Sequence, residues 1–199
     1  GLRDDALTHL KEVCDITIGP VCHRPDDDRQ WVLDHIAEYD GVIVAKMIFD
    51  KQMIDAAKNL KIISTYGVGF DHVDTEYAKE NEIVVSNCPE SVLRPTAELA
   101  LTMILASARR IRYYDHTLRE GVFLNADEYD NQGYSIEGKI LGILGMGRIG
   151  QQVARFAKAL GMKIIYHNRH QLDEKIETEL DAKYVDFDEL IKNADFLSL

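Results

Sequence analysis

The chain has 199 residues, 46% of them apolar, and carries 34 acidic against 23 basic side chains, a formal charge of -11. That length holds one large domain or two small ones with real cores, and the negative balance excludes partners that need clustered lysine and arginine, nucleic acid and anionic membrane among them. No apolar stretch approaches the roughly 20 residues of a membrane span, and the N-terminus lacks a signal peptide's basic and apolar regions, so a cytoplasmic protein is expected.

The sequence opens at Gly1 without a methionine and passes at once into helix-like sequence, as though a strand preceded it. Val13 to Ile18 then reads as strand, Asp26 to Glu38 as helix, Gly41 to Ala45 as strand and Asp50 to Asn59 as helix. Leu60 to Ser64 reads as strand, Thr75 to Asn81 as helix and Ile83 to Ser86 as strand, so a parallel sheet with helices on both faces is predicted. Asp26-Asp27-Asp28 is most simply a solvated helix N-terminus. Cys14, Cys22 and Cys88 are odd in number and form no C-x-x-C pair, so reduced thiols are expected, with no disulfide framework and no metal site.

A break at Asn87-Cys-Pro-Glu90 precedes a long apolar helix, Thr96 to Arg110, with Pro95 at its start, and the domain boundary is placed between residues 92 and 93. Tyr113 to Ser135 is polar, with one weak helical turn, and is expected to wrap the surface. Lys139 to Leu144 is the short apolar run of a buried strand, and Gly145, Gly147 and Gly150 follow it on G-x-G-x-x-G spacing. The first glycine allows the tight turn, the second lets backbone approach a pyrophosphate, and the third lets helix pack close to sheet. Ile149, Val153, Phe156, Ala157 and Leu160 form one helical stripe, Gly161 stops the helix, and Lys163 to Tyr166 is the next strand. This is a dinucleotide-binding βαβ unit, with phosphates expected on the helix N-terminus. The charged segment Gln171 to Glu179, a strand at Lys183 to Val185, a helix ending near Asn193 and a strand from Ala194 complete the chain, part way through an expected six-stranded domain.

A second loop, Gly67-Val68-Gly69, follows the strand that ends at Ser64. Successive backbone N–H groups in such a turn can form a nest that binds a carboxylate; a plain strand-to-helix turn, with Asp71 or Asp74 as N-cap, reads equally well.

Gly67-Val-Gly-Phe-Asp-His-Val-Asp74, Asn87-Cys-Pro89, Thr96-Ala-Glu-Leu-Ala100 and Gly142-Ile-Leu-Gly-Met-Gly-Arg-Ile-Gly150 together resemble the D-isomer-specific 2-hydroxyacid dehydrogenases, in that family's order and spacing, with a pattern nearest its glyoxylate and hydroxypyruvate reductases. The resemblance implies an α/β fold of two doubly wound parallel-sheet domains, a flavodoxin-like substrate-binding domain over residues 1–92 and a Rossmann dinucleotide-binding domain over 93–199, incomplete at both chain ends. It implies hydride transfer between a nicotinamide cofactor and a 2-keto acid or D-2-hydroxy acid, and a homodimer. Carried over by position, the amides of Val68 and Gly69 hold the substrate carboxylate in the Gly67 loop, with Tyr66 near the pocket wall. Thr96 lies near the nicotinamide, and Gly145, Met146, Gly147, Arg148, Ile149 and Gly150 form the cofactor turn. Gly121-Val-Phe123 departs from the Trp that many members carry after a Gly. The family's catalytic Arg, Glu and His fall beyond residue 199; none of His9, His23, His35, His72, His116, His167 or His170 occupies that position, so no catalytic residue is expected within the chain, which alone should not turn over.

The end of the second fingerprint strand bears on the adenosine ribose. His167-Asn168-Arg169-His170 has no acid before Asp173; an acid there would select NAD, whereas an Arg accommodates a 2′-phosphate. Asn168 and Arg169 therefore favour NADP over NAD, the alternative being that Asn168 bonds the ribose of NAD and Arg169 is solvated. A non-catalytic dinucleotide-sensing regulator or scaffold of the same fold is the competing function, and other redox chemistry on the same Rossmann unit is a third.

Overall fold

The computed structural model describes residues 4–19, 25–125 and 132–199, the side chains of 25–27 apart. The chain divides between Pro89 and Glu90 into two compact units, each with its own core. Cys22, His23 and the side chains of Asp26 and Asp27 lie outside the described residues.

The first unit contains α1 (Asp4–Lys11), α2 (Pro25–His35) with a 3₁₀ turn at Ile36–Glu38, β1 (Gly41–Val44), α3 (Lys51–Ala56), β2 (Ile62–Thr65), α4 (Thr75–Glu80) and β3 (Val84–Ser86). The strands pair in parallel in chain order, so α3 and α4 are its crossovers. Register puts Val42, Ile63 and Val85 in one row, and that row joins Phe49, Met53, Ile54, Ala57, Val73 and Ala78 in the core. Ile43, Ile62 and Val84 are exposed, which alternation along a strand assigns to the opposite face. Val13 to Ile18 was predicted as strand and is not one. The amides of Val13 and Cys14 donate to the Leu10 carbonyl at the end of α1, and Val13 and Ile18 are 78% and 67% exposed. A short apolar run becomes strand only where a sheet edge takes its backbone groups, and here none does.

The second unit contains α5 (Leu93–Ala108), α6 (Ile111–Arg119), β4 (Ile140–Leu144), α7 (Arg148–Ala159), β5 (Lys163–His167), α8 (Glu174–Leu180), β6 (Ala182–Tyr184), α9 (Phe187–Asn193) and β7 (Phe196–Ser198). Its parallel sheet runs β6-β5-β4-β7, an order that reverses direction at β4. Both faces of β4 are covered. Leu141 and Ile143 belong to a core shared with Val153, Ala154 and Ala157 of α7 and Ala97, Ile104 and Ala108 of α5. Gly142, between them, faces the other way, where a Cβ would lie 2.7 Å from the Ala194 Cβ and 3.2 Å from Leu190 Cδ1. This is the doubly wound arrangement, and the carboxyl end of β4 lies at its switch point, where open α/β sheets bind ligands.

Two further expectations are corrected. The segment after the long helix carries a nine-residue helix, α6, where one weak turn was expected; Arg110 takes left-handed geometry, φ +53°, to start it, and the Arg110 guanidinium sits 4.4 Å over the Tyr113 ring. Pro95 is the third residue of α5 and not its start, which the first turn tolerates because its N–H groups have no helical acceptor anyway.

Candidate functional site

Each unit carries one candidate loop. In the second unit the chain leaves β4 through Gly145, whose φ of +100° is a region that L side chains rarely adopt, and the Gly145 amide donates to the His167 carbonyl at 3.0 Å. Gly147 is the N-cap of α7, and no side chain caps that helix end. The amides of Arg148, Ile149 and Gly150 are those for which a helix has no carbonyl acceptor, and they carry the positive end of its dipole. Gly150 is fixed from within, since a Cβ there would meet the Gly145 carbonyl oxygen at 2.5 Å. A Cβ at Gly147 would meet nothing within 4 Å, so no atom of the described residues accounts for glycine there. A dinucleotide pyrophosphate fits these residues: its oxygens take open amides, and the bare Gly147 backbone admits close approach.

The Met146 side chain is fully buried in the core, so it can meet a ligand only through backbone, and Ile149 is partly buried against that core. Arg148 is exposed. The Met146 amide is taken by a side chain: it donates to Asn168 Oδ1 at 2.6 Å. An N–H requires an acceptor, so the carboxamide oxygen of Asn168 points inward and its NH₂ group is left to donate outward. The Tyr184 hydroxyl donates to the Asn168 carbonyl at 3.2 Å, and His167 stacks on Tyr184 while its Nδ1 lies 2.9 Å from the Val185 carbonyl. Tyr166, fully buried, donates to Glu177 at 2.7 Å and accepts from the Leu172 amide at 2.9 Å. Burial first, and the Glu177 bond second, push its hydroxyl up to about 12. These bonds hold both ends of the 167–172 segment, which presents Arg169 and His170 as exposed cationic or donor groups; Arg169 makes no hydrogen bond or ion pair with a described residue.

In the first unit β2 ends at the buried Thr65, and Tyr66, Val68 and Phe70 are 57%, 38% and 46% exposed. The Gly67 amide donates to the Thr65 carbonyl at 3.0 Å. The Gly67 carbonyl accepts from the Cys88 amide at 2.8 Å, and the Val68 carbonyl accepts from Asn87 Nδ2 at 2.8 Å. The amides of Val68 and Gly69 donate to no described residue. A Cβ at Gly67 or Gly69 would meet open space. The loop thus spends its carbonyls inward and leaves two N–H groups free, the polarity a carboxylate needs. Asp74, weighed as an N-cap, does cap α4, accepting from the Tyr77 amide at 3.0 Å. Thr96 is exposed in the first turn of α5, its amide bonded to the Val92 carbonyl at 3.0 Å.

Asn87 was not predicted as a site residue. A polar side chain at the end of the strand beside a glycine loop was the available signal, but nothing in sequence spacing says that it reaches a carbonyl 19 residues earlier.

The family profile described as "D-isomer specific 2-hydroxyacid dehydrogenase, NAD binding domain" matches residues 101–199. A Staphylococcus saprophyticus protein predicted to be a 2-hydroxyacid dehydrogenase is 42% identical over 173 residues, 86% of this chain and 54% of that protein. The chain therefore spans about half the length of the curated relatives it matches. The crystal structure of TT0316 protein from Thermus thermophilus superposes with a TM-score of 0.86 and 34% identity over 100% of this chain and 62% of that one. An acyclic imino acid reductase, Bsp5, solved with NADPH and D-Arg, superposes with a TM-score of 0.82 and 29% identity over 100% of this chain and 61% of that one.

Proposed function

Because the chain belongs to the D-isomer-specific 2-hydroxyacid dehydrogenase family, we propose that it supplies the cofactor-holding and carboxylate-holding loops of an oxidoreductase acting between a nicotinamide dinucleotide and a 2-keto acid or its D-2-hydroxy acid. Glyoxylate, hydroxypyruvate and larger 2-keto acids are the substrate class. Residues 93–199 are the dinucleotide-binding part and residues 1–92 the substrate-binding part. The observation that carries the reading is the turn after β4, where Gly147 has no neighbour among the described residues to explain it and three amides stand open at the α7 N-terminus. The nicotinamide supplies the hydride when bound. The chain's own residues bind and orient: Gly145 to Gly150 take the pyrophosphate through backbone, Thr96 lies beside the nicotinamide, and the Val68 and Gly69 amides, with Tyr66 at the wall, take the carboxylate.

NADP(H) is favoured over NAD(H). The NH₂ of Asn168 and the guanidinium of Arg169, which makes no hydrogen bond or ion pair with a described residue, are donors to which a 2′-phosphate offers both charge and acceptors. The same reading includes a homodimer, supported by Leu99 and Met103, one turn apart on α5 and 62% and 63% exposed.

The test uses a full-length protein that includes this chain and the family's catalytic Arg, Glu and His, with a panel of 2-keto acids. NADPH oxidation with at least one of them is expected, and Arg169→Ala should weaken NADPH binding roughly 10- to 100-fold while leaving NADH within a factor of about two, the worth of one charged hydrogen-bonded pair. Unchanged NADPH affinity in the variant would contradict the 2′-phosphate role. NADPH binding without oxidation across the whole panel would instead favour a dinucleotide-sensing regulator.

A further inference from the structure

A peptide group is planar and trans, so its carbonyl and its N–H point in opposite directions. The Gly67 carbonyl and the Val68 N–H belong to one such plane, and the Val68 carbonyl and the Gly69 N–H belong to the next. Each of these carbonyls is held by the end of β3: Gly67 by the Cys88 amide at 2.8 Å, Val68 by the Asn87 carboxamide at 2.8 Å. The first clamp is the backbone N–H of residue 88, which any residue but proline supplies. The second is a side chain 19 residues away in sequence, and it is the group that fixes the plane carrying the Gly69 N–H.

We propose that Asn87 is a positioning residue for substrate: by holding the Val68 carbonyl inward it aims the Gly69 N–H outward beside that of Val68, so that the two can grip one carboxylate together. Asn87 does not touch the substrate. Glycine on both sides of Val68 gives the loop backbone more conformational freedom than other residues would, and a Cβ added at Gly67 or Gly69 would meet nothing within 4 Å. A loop that soft binds an anion well only if something outside it sets the peptide orientation, because ordering it on binding would cost affinity. Asn serves where Ser or Ala cannot, since the donor must sit at the end of a short rigid arm that reaches from β3 to the neighbouring loop.

The inference rests on the reading that the Val68 and Gly69 amides bind a carboxylate, and the experiment separates the two. In a full-length protein that includes this chain and the family's catalytic residues, the backbone amide resonances of Val68 and Gly69 are followed during titration with oxamate, a 2-keto acid analogue, for wild type, Asn87→Ala and Asn87→Gln, alongside KM and kcat for glyoxylate and the Kd of NADPH. Wild-type resonances of both amides should shift. Asn87→Ala should weaken oxamate and raise KM about 10-fold, the scale of one misdirected charge-assisted bond, with kcat within about threefold because a carboxylate grip is shared by ground and transition states. NADPH binding should not change, and Asn87→Gln, which keeps the donor, should recover most of the loss. If Asn87→Ala does not fold, Asn87→Ser, too short to reach the carbonyl, carries the same expectation. Failure of the wild-type amides to respond to oxamate sinks the carboxylate reading itself. Wild-type response with full affinity in a folded variant lacking the donor overturns the role of Asn87 alone.

Discussion

Gly147 and Gly150 stand three residues apart and are glycine for different reasons. At Gly150 the reason is internal: an added Cβ would lie 2.5 Å from the Gly145 carbonyl oxygen and 3.2 Å from Ile143 Cγ2. Alanine would gain about 1 kcal/mol of helix propensity, but forcing backbone aside in a packed site costs about 1–3 kcal/mol, so Gly150→Ala should melt several degrees lower, by calorimetry. At Gly147 φ is -77° and the space is open. Gly147→Ala should therefore melt within about one degree of wild type while, on the proposed function, its dinucleotide affinity falls more than about 10-fold, because the methyl group would stand in the path of the pyrophosphate. A variant that binds as wild type would remove the pyrophosphate from this turn. The spacing of the three glycines made the tight turn and the close helix packing readable in advance. What spacing did not carry was direction: Met146 lies inside the fingerprint yet is fully buried, and Asn168, read as a ribose ligand, also ties down the Met146 amide.

The elements with a stop and a start written into them were legible; those that depend on a neighbour were not. α3 begins where Asp50 accepts from the Met53 amide at 3.1 Å, and Asp50 is also bound by Arg29, whose Nη2 lies 2.9 Å from both carboxylate oxygens. The Arg29 hydrogen bond, ahead of the opposing cost of burial, lowers the Asp50 carboxyl below its ordinary 3.8. A depressed acid contributes stability above its unfolded value and loses it as pH falls through the folded one. Asp50→Ala should therefore cost about 1–2 kcal/mol near neutrality, as N-caps do, and denaturant midpoints of wild type and variant should draw together as pH falls from 3.8 and meet below the lower folded value. A gap that persists there would assign the loss to packing and not to the charged cap. Val13 to Ile18 shows the opposite case. Its apolar run is as strand-like as β1, but strand is a property of pairs, and these residues meet no edge. α6 was missed for a related reason: its residues carry a helical period, but it begins at Arg110 in left-handed geometry, with no capping side chain to announce it.

Across the whole chain the two cores share no residue: one gathers on β1, β2 and β3 with α3 and α4, the other on β4 and β5 with α5 and α7. A ligand that binds only the second unit should stabilise only what unfolds with it. At 100 times its Kd, NADPH contributes about 2.7 kcal/mol, so amide exchange from β4, β5, β6 and β7 should slow about 100-fold in hydrogen-exchange measurements, while β1, β2 and β3 keep their rates. Equal protection of both sheets would mean that the cores open as one. The sequence by itself determined the alternation of strand and helix, the break near Pro89, and the glycine turn between β4 and α7, because periodicity and glycine spacing are local and survive without knowledge of neighbours. Only the tertiary structure decided strand order, which puts the switch point at β4, and the bonds from Asn168 to Met146 and from Asn87 to Val68. Those joins link residues about 20 positions apart, and a side chain's reach across folded space leaves no period in the chain that encodes it.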